Sequence, residues 1–135
     1  MEFYTKELVT EHILRIRPFW NDACVYYVMG KDRDLLIDTG YGFGELKKYV
    51  DSISDHEYDV VLSHGHLDHA GGCGEWDEVY IHPADIALYQ KKGTVPARKE
   101  FLKSFVKNID KYPEDMFVQM YTHSFKDLQD GMVFD

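Results

Sequence analysis

The chain has 135 residues, 15 Lys plus Arg against 24 Asp plus Glu, and a formal charge of −9 with histidine neutral. That length suits one domain, and 44% hydrophobic with 29% charged residues describes an ordinary globular core, which excludes a disordered chain. The acidic excess argues against nucleic-acid binding and against an anionic membrane surface, because both need clustered Lys and Arg.

The first twenty residues mix charges through every window, so they hold neither the apolar stretch of a signal peptide nor a membrane span. Residues 12–19 alternate, with Leu14 and Ile16 on one side and Arg15 and Arg17 on the other, which predicts a strand. Residues 23–29 (ACVYYVM) and the apolar run Leu35, Leu36, Ile37 predict a hairpin about a charged loop at 30–34. After the glycine-rich TGYGFG, residues 45–53 place Leu46, Val50 and Ile53 at helical spacing. Residues 58–62 (YDVVL) are a β-branched run of the kind buried on both faces, and strand, helix, strand in succession predicts α/β layering. A short strand at 79–81 leads into a helix opened by Pro83 and broken between Gly93 and Pro96. Residues 97–109 then carry Phe101, Leu102, Phe105, Val106 and Ile109 at spacings of three and four, which predicts a helix with a core-facing stripe. Residues 115–125 admit helix or strand, and the Asp130-Gly131 turn signal predicts a last strand at 132–134.

Two cysteines, Cys24 and Cys73, are too few for a disulfide scaffold and form no CxxC pair, so both read as reduced thiols of a cytosolic protein. Cys73 in GGCGE reads either as a soft metal ligand or reactive thiol, or as a small buried residue. Gly40, Gly42 and Gly44 lack the GxGxxG order and no Lys-Ser/Thr follows, so they read as a flexible loop and not as a phosphate cradle. The aromatic residues, Tyr26, Tyr27 and those at 117–121 among them, are explained most simply by core packing.

One cluster carries chemistry: Ser63, His64, Gly65, His66, Leu67, Asp68 and His69, then Ala70, Gly71 and Gly72, placed directly after YDVVL. Any single histidine here reads as solvated or as a cap. Together, His64 and His66 at i and i+2 project to one side of an extended turn, and Asp68 and His69 follow where the chain tightens into a helix. Four candidate ligands thus converge at the carboxyl end of a strand, where open α/β sheets bind ligands. Imidazole and carboxylate suit zinc or iron, and so short a segment serves two adjacent ions more easily than one.

The string SHGHLDHAGG after that strand, with LLIDTGYG before it, resembles the HxHxDH signature of the metallo-β-lactamase superfamily. VYIHPAD is similar to the family's next strand and helix entry, where the histidine, here His82, is not a usual ligand. The resemblance implies an α/β (α+β) fold, a mixed β-sheet packed with helices that forms half of an αββα sandwich. It assigns His64 and His66 to a first metal and Asp68 and His69 to a second, with Asp38 supporting the imidazoles from behind. Zinc is the expected metal, two ions in a completed site, with iron or manganese tolerated. A hydroxide bridging the ions would be the nucleophile, which makes Asp68 and Asp38 the catalytic carboxylates. His66, where the oxygen-reducing branch carries glutamate, points to hydrolysis of an ester, thioester, lactone or similar bond in a small-molecule substrate.

The family's later ligands, a Gly-His loop histidine, a bridging aspartate and a final histidine, have no match here. His82 and His123 are the only histidines after His69, and neither follows a strand in a Gly-His loop. The expectation is therefore a single truncated domain over 1–135 that pairs as a homodimer through the sheet face a missing half would cover. The alternative function is a catalytically silent metal-binding or assembly module.

Overall fold

A computed structural model describes residues 2–134. Its centre is one seven-stranded sheet in chain order. Strands β1 (Tyr4–Thr10), β2 (Ile13–Pro18), β3 (Val25–Val28) and β4 (Asp34–Ile37) form an antiparallel meander. From β4 the pairing turns parallel, to β5 (Tyr58–Val61), β6 (Tyr80–Ile81) and β7 (Lys126–Asp127). Parallel neighbours need a crossover, and helices supply it. Helix α1 (Leu46–Asp51) joins β4 to β5, α2 (Leu67–Ala70) lies between β5 and β6, and α3 (Ile86–Lys92) and α4 (Val95–Leu102) precede β7.

Alternation sets the layers. Leu14, Ile16, Val25, Tyr27, Leu36 and Val60 are buried on one sheet face with Leu46 and Val50 of α1, Cys73, Trp76 and Tyr89. Fully burying side chains of this size stabilises by roughly 1.5–3 kcal/mol each. The opposite-phase residues Ile13, Tyr26, Val28, Leu35 and Ile37 are only half-buried. Asp34 is the polar exception within the buried face. Its carboxylate accepts from the Tyr27 hydroxyl at 2.5 Å and from the Gly30 amide at 3.0 Å, so the hairpin loop closes on a satisfied charge. A second cluster of Trp20, Tyr41, Phe43, Leu102, Val106, Ile109 and Phe117 packs α4 and the segment after it against the glycine-rich loop.

Two expectations need correction, and one strand carries no signal in the sequence. The predicted helix over 97–109 is α4, which starts at Val95 and ends at Leu102. Thr94 caps it, accepting from the Ala97 amide at 3.3 Å, and Pro96 occupies its first turn. Irregular turns follow, and Asn108 adopts a left-handed φ of 61°, which no right-handed helix accommodates. The stripe splits accordingly: Leu102, Val106 and Ile109 are buried, whereas Phe101 and Phe105 stand 57% and 44% exposed. The predicted strand at 132–134 is absent, and a parallel strand forms at Lys126–Asp127 instead; the Phe134 ring packs edge-on to Tyr80 at 5.1 Å. Finally, β1 was not foreseen because six of its seven residues are exposed, so no apolar alternation marks it. Its Lys6 and Glu7 suit an edge, and Glu7 accepts from Arg15 and Arg17 of β2 at 2.8 and 2.6 Å.

Candidate metal centre

Strands β4 and β5 end side by side, and the site grows from their carboxyl ends. Asp38 follows β4 with φ 71°, a left-handed conformation that a short polar side chain tolerates at some cost. Its amide donates to the Val61 carbonyl at 2.8 Å, which ties the turn to β5. One residue on, the Thr39 amide and hydroxyl both donate to the His69 carbonyl, at 2.8 and 3.0 Å. Two glycines let these segments meet. A Cβ at Gly65 would come within 2.5 Å of the Asp85 carbonyl ahead of α3, and one at Gly72 within 2.4 Å of the Thr39 carbonyl.

Asp38 organises the histidines. Its Oδ1 accepts from the Ser63 amide at 2.7 Å, and its Oδ2 accepts from the Ser63 hydroxyl at 2.7 Å and pairs with His69 Nδ1 at 3.0 Å. A carboxylate only accepts, so His69 Nδ1 is the protonated nitrogen and Nε2 keeps its lone pair. The Ser63 hydroxyl, with its hydrogen committed to Asp38, accepts from His64 Nδ1 at 2.8 Å. One carboxylate and one hydroxyl therefore set two tautomers, leaving both Nε2 atoms free as metal ligands need. The Asp38 hydrogen bond also raises the pKa of His69 above the usual histidine value, despite opposing desolvation.

His64, Asp68 and His69 each offer one ligand atom within 4.8 Å of the others, the one such group of histidine, cysteine and acidic side chains among the described residues. The His64 and His69 rings stand 4.4 Å apart by centroid, and His69 Nε2 lies 3.5 Å from an Asp68 oxygen. Two nitrogens and a carboxylate fit a divalent cation of the zinc type. His66 is exposed and outside this group, although its ring lies 4.9 Å from that of His64. Its carbonyl accepts from the His69 and Ala70 amides and starts α2. His82 caps its own turn, with Nδ1 accepting from the Ala84 amide at 3.1 Å. Cys73 is fully buried and burial pushes its thiol up to about 11, so it reads as the small core residue and not as a ligand.

Sequence reasoning assigned no role to three residues at this centre. Ser63 is the relay just described. The Tyr41 hydroxyl donates to Asp22 at 2.8 Å, and the Asp22 carboxylate also raises the pKa of His69. Asp22 sits between Asn21 and Ala23, both left-handed at φ 59° and 57°. A hydroxyl directly before HxH was the one legible signal. The Tyr41–Asp22 contact spans 19 residues and had none.

No helix among the described residues is long and apolar enough to cross a membrane. The chain is 34% identical over 101 residues to the human acyl-coenzyme A thioesterase MBLAC2, covering 63% of this chain and 36% of that protein. The Gallus gallus protein of the same name is 34% identical over 76 residues, covering 50% of this chain and 27% of its own length. The chain thus spans about a third of the curated relatives it matches. Among solved structures, the metallo beta lactamase from Erythrobacter litoralis superposes with a TM-score of 0.56 at 17% identity, covering 69% of this chain and 47% of that one. The metallo-beta-lactamase superfamily pattern matches residues 20–125, which takes in the strands from β3 to β6, the Asp38 turn and every histidine of the cluster. With that match and this geometry, the chain belongs to the metallo-β-lactamase superfamily.

Proposed function

We propose that this chain carries the HxHxDH metal-binding part of a thioester hydrolase. The observation that carries the reading is the relay from Asp38 through Ser63, which places the hydrogen of each neutral ring on Nδ1 and so makes Nε2 the ligand atom of His64 and His69 beside the Asp68 carboxylate. His64, Asp68 and His69, with His66 joining them, would hold zinc, and a completed site would hold two ions. Metal bound there would acidify a water and polarise the thioester carbonyl. The chain's own contribution is to keep Nδ1–H of both imidazoles occupied and to place the Asp68 carboxyl beside them at the mouth of the sheet. The thioester class rests on the names of the MBLAC2 relatives, and the activity is proposed for the protein that such a chain belongs to. A cytoplasmic setting accords with two free thiols, and the half-buried row Ile13, Tyr26, Val28, Leu35 and Ile37 accords with pairing of two copies, which sedimentation would report.

The test is zinc loading followed by elemental analysis and an acyl-coenzyme A hydrolysis assay that detects free thiol. Zinc retained by this chain and lost with His64→Ala is expected, and in the protein that such a chain belongs to, close to two zinc with turnover abolished by His66→Ala. No retained zinc, or turnover indifferent to His64→Ala and His69→Ala together, would overturn the reading.

A further inference from the structure

Beside the histidine cluster lies a cleft of about 420 Å³ lined by His66, Leu67, Asp68, Leu88, Lys92 and Phe101. The size falls within the ~300–1,000 Å³ typical of small-molecule sites. Two features give it direction. First, Asp68 belongs both to the cleft and to the group of three metal-type ligands, so a molecule whose reacting carbonyl sits at the cluster can extend directly into the cleft. Second, the far wall is apolar: Leu67 from α2, Leu88 from α3 and Phe101 from α4 face a common space, and Phe101 is 57% exposed. Burying Leu102 turns Phe101 about 100° away from the core, toward the side where Leu67 and Leu88 line the cleft. Lys92 adds its aliphatic stem to that wall while its ammonium reaches solvent, and it makes no ion pair among the described residues.

We propose that this cleft receives the hydrocarbon chain of the acyl group, with Phe101 and Leu88 as the residues that determine chain-length preference. The assignment rests on the thioester-hydrolase reading for the identity of the reacting bond. The two ends of an acyl-coenzyme A differ sharply in chemistry. The coenzyme limb carries amides and several phosphates that need donors and cations, and the cleft offers only Lys92 and the His66 imidazole against the Asp68 carboxylate in a chain of net charge −9. The acyl limb needs only apolar surface, which three side chains supply.

The probes are S-ethyl- and S-decyl-coenzyme A, thioethers that cannot be hydrolysed, titrated calorimetrically into the full chain with and without zinc. Each buried methylene is worth roughly fourfold in affinity, so burial of even two or three makes the decyl compound at least about tenfold tighter. Phe101→Ser and Leu88→Ser should each remove most of that preference and leave S-ethyl binding unchanged. Phe105→Ser, four residues from Phe101 and outside the cleft lining, should keep it. Because Phe101 is exposed, its variant should retain the parent circular dichroism spectrum and melting temperature. Equal affinity for the two thioethers, or a decyl preference that survives Phe101→Ser, overturns the assignment whatever the turnover. A decyl preference that depends on Phe101 in a chain that retains no zinc overturns the hydrolase reading and leaves the cleft standing.

Discussion

Ser63→Ala isolates the relay, because the hydroxyl touches only the Asp38 carboxylate, at 2.7 Å to Oδ2 and 3.0 Å to Oδ1, and His64 Nδ1 at 2.8 Å. Two hydrogen bonds are lost, each worth about 1 kcal/mol net, but Ser63 is exposed and water replaces part of both. Folding should therefore lose only about 1 kcal/mol, a melting shift of about 3–4 °C for a chain of this size. Metal affinity should suffer more. Without the serine oxygen, nothing holds His64 Nδ1–H, and the ring is free to turn or to adopt the tautomer that removes its Nε2 lone pair. Losing such a support costs roughly 10–100-fold in metal affinity, or about 1.4–2.7 kcal/mol. Zinc titration at pH 7.5 against a competing chelator measures it. A double-mutant cycle adds the decisive comparison: in a His64→Ala background the serine has no ring to orient, so its removal should cost at most about threefold, leaving a coupling of roughly 0.7 kcal/mol or more. Ser63→Ala within twofold of the parent, or equal losses in both backgrounds, would refute the relay.

Three further outcomes are expected. Burial pushes Glu75 up to about 7, so between 4.5 and that value the folded chain holds a proton that the unfolded chain has lost, and stability falls as pH rises through this window. Glu75→Gln, which keeps an oxygen for the Lys47 amide at 3.1 Å, should stabilise by roughly 2–3 kcal/mol at pH 8 and by nothing at pH 4; parallel urea curves for parent and variant would sink this. His69 is raised chiefly by Asp38, so its protonated pairing stabilises the metal-free chain below pH 6.5 and is lost as pH climbs through the higher folded value. His69→Gln should accordingly cost the metal-free chain stability at pH 5.5 but little at pH 9, and zinc affinity should drop as pH falls through the raised value, with protons released on binding that calorimetry in two buffers would count. Arg98 is fully buried and donates to the Gly93, Tyr41 and Val118 carbonyls, so Arg98→Leu strands three acceptors and should cost about 3 kcal/mol or more; a melting temperature within 3 °C of the parent would contradict that role.

What could be read directly from the sequence was local or periodic. Strands β2 to β5 follow from alternation and β-branched runs, and α1 from Leu46 and Val50 at i and i+4, because each pattern spans only its own element. The HxHxDH string was visible for the same reason: its chemistry is compressed into six residues, and only the strand before it was needed to place it at the sheet's end. Asp38 was reached by resemblance, not by pattern. Where 97–109 failed, a real apolar spacing was read as one helix, whereas the backbone reverses at Asn108 and buries Leu102, Val106 and Ile109 without continuous helix, leaving Phe101 and Phe105 outward.

The tertiary structure alone decided the rest, since it depends on partners distant in sequence. Asp38 meets His69 across 31 residues, Tyr41 meets Asp22 across 19, and Arg98 meets Tyr41 across 57. No local window holds both members of any such pair. Residue types between positions 64 and 69 announce candidate ligands, but which nitrogen of His64 and His69 carries the hydrogen is set by Ser63 and by a carboxylate that follows a different strand. Hydrogen-bond direction is a property of the assembled pair, and it exists only once β4 and β5 lie side by side.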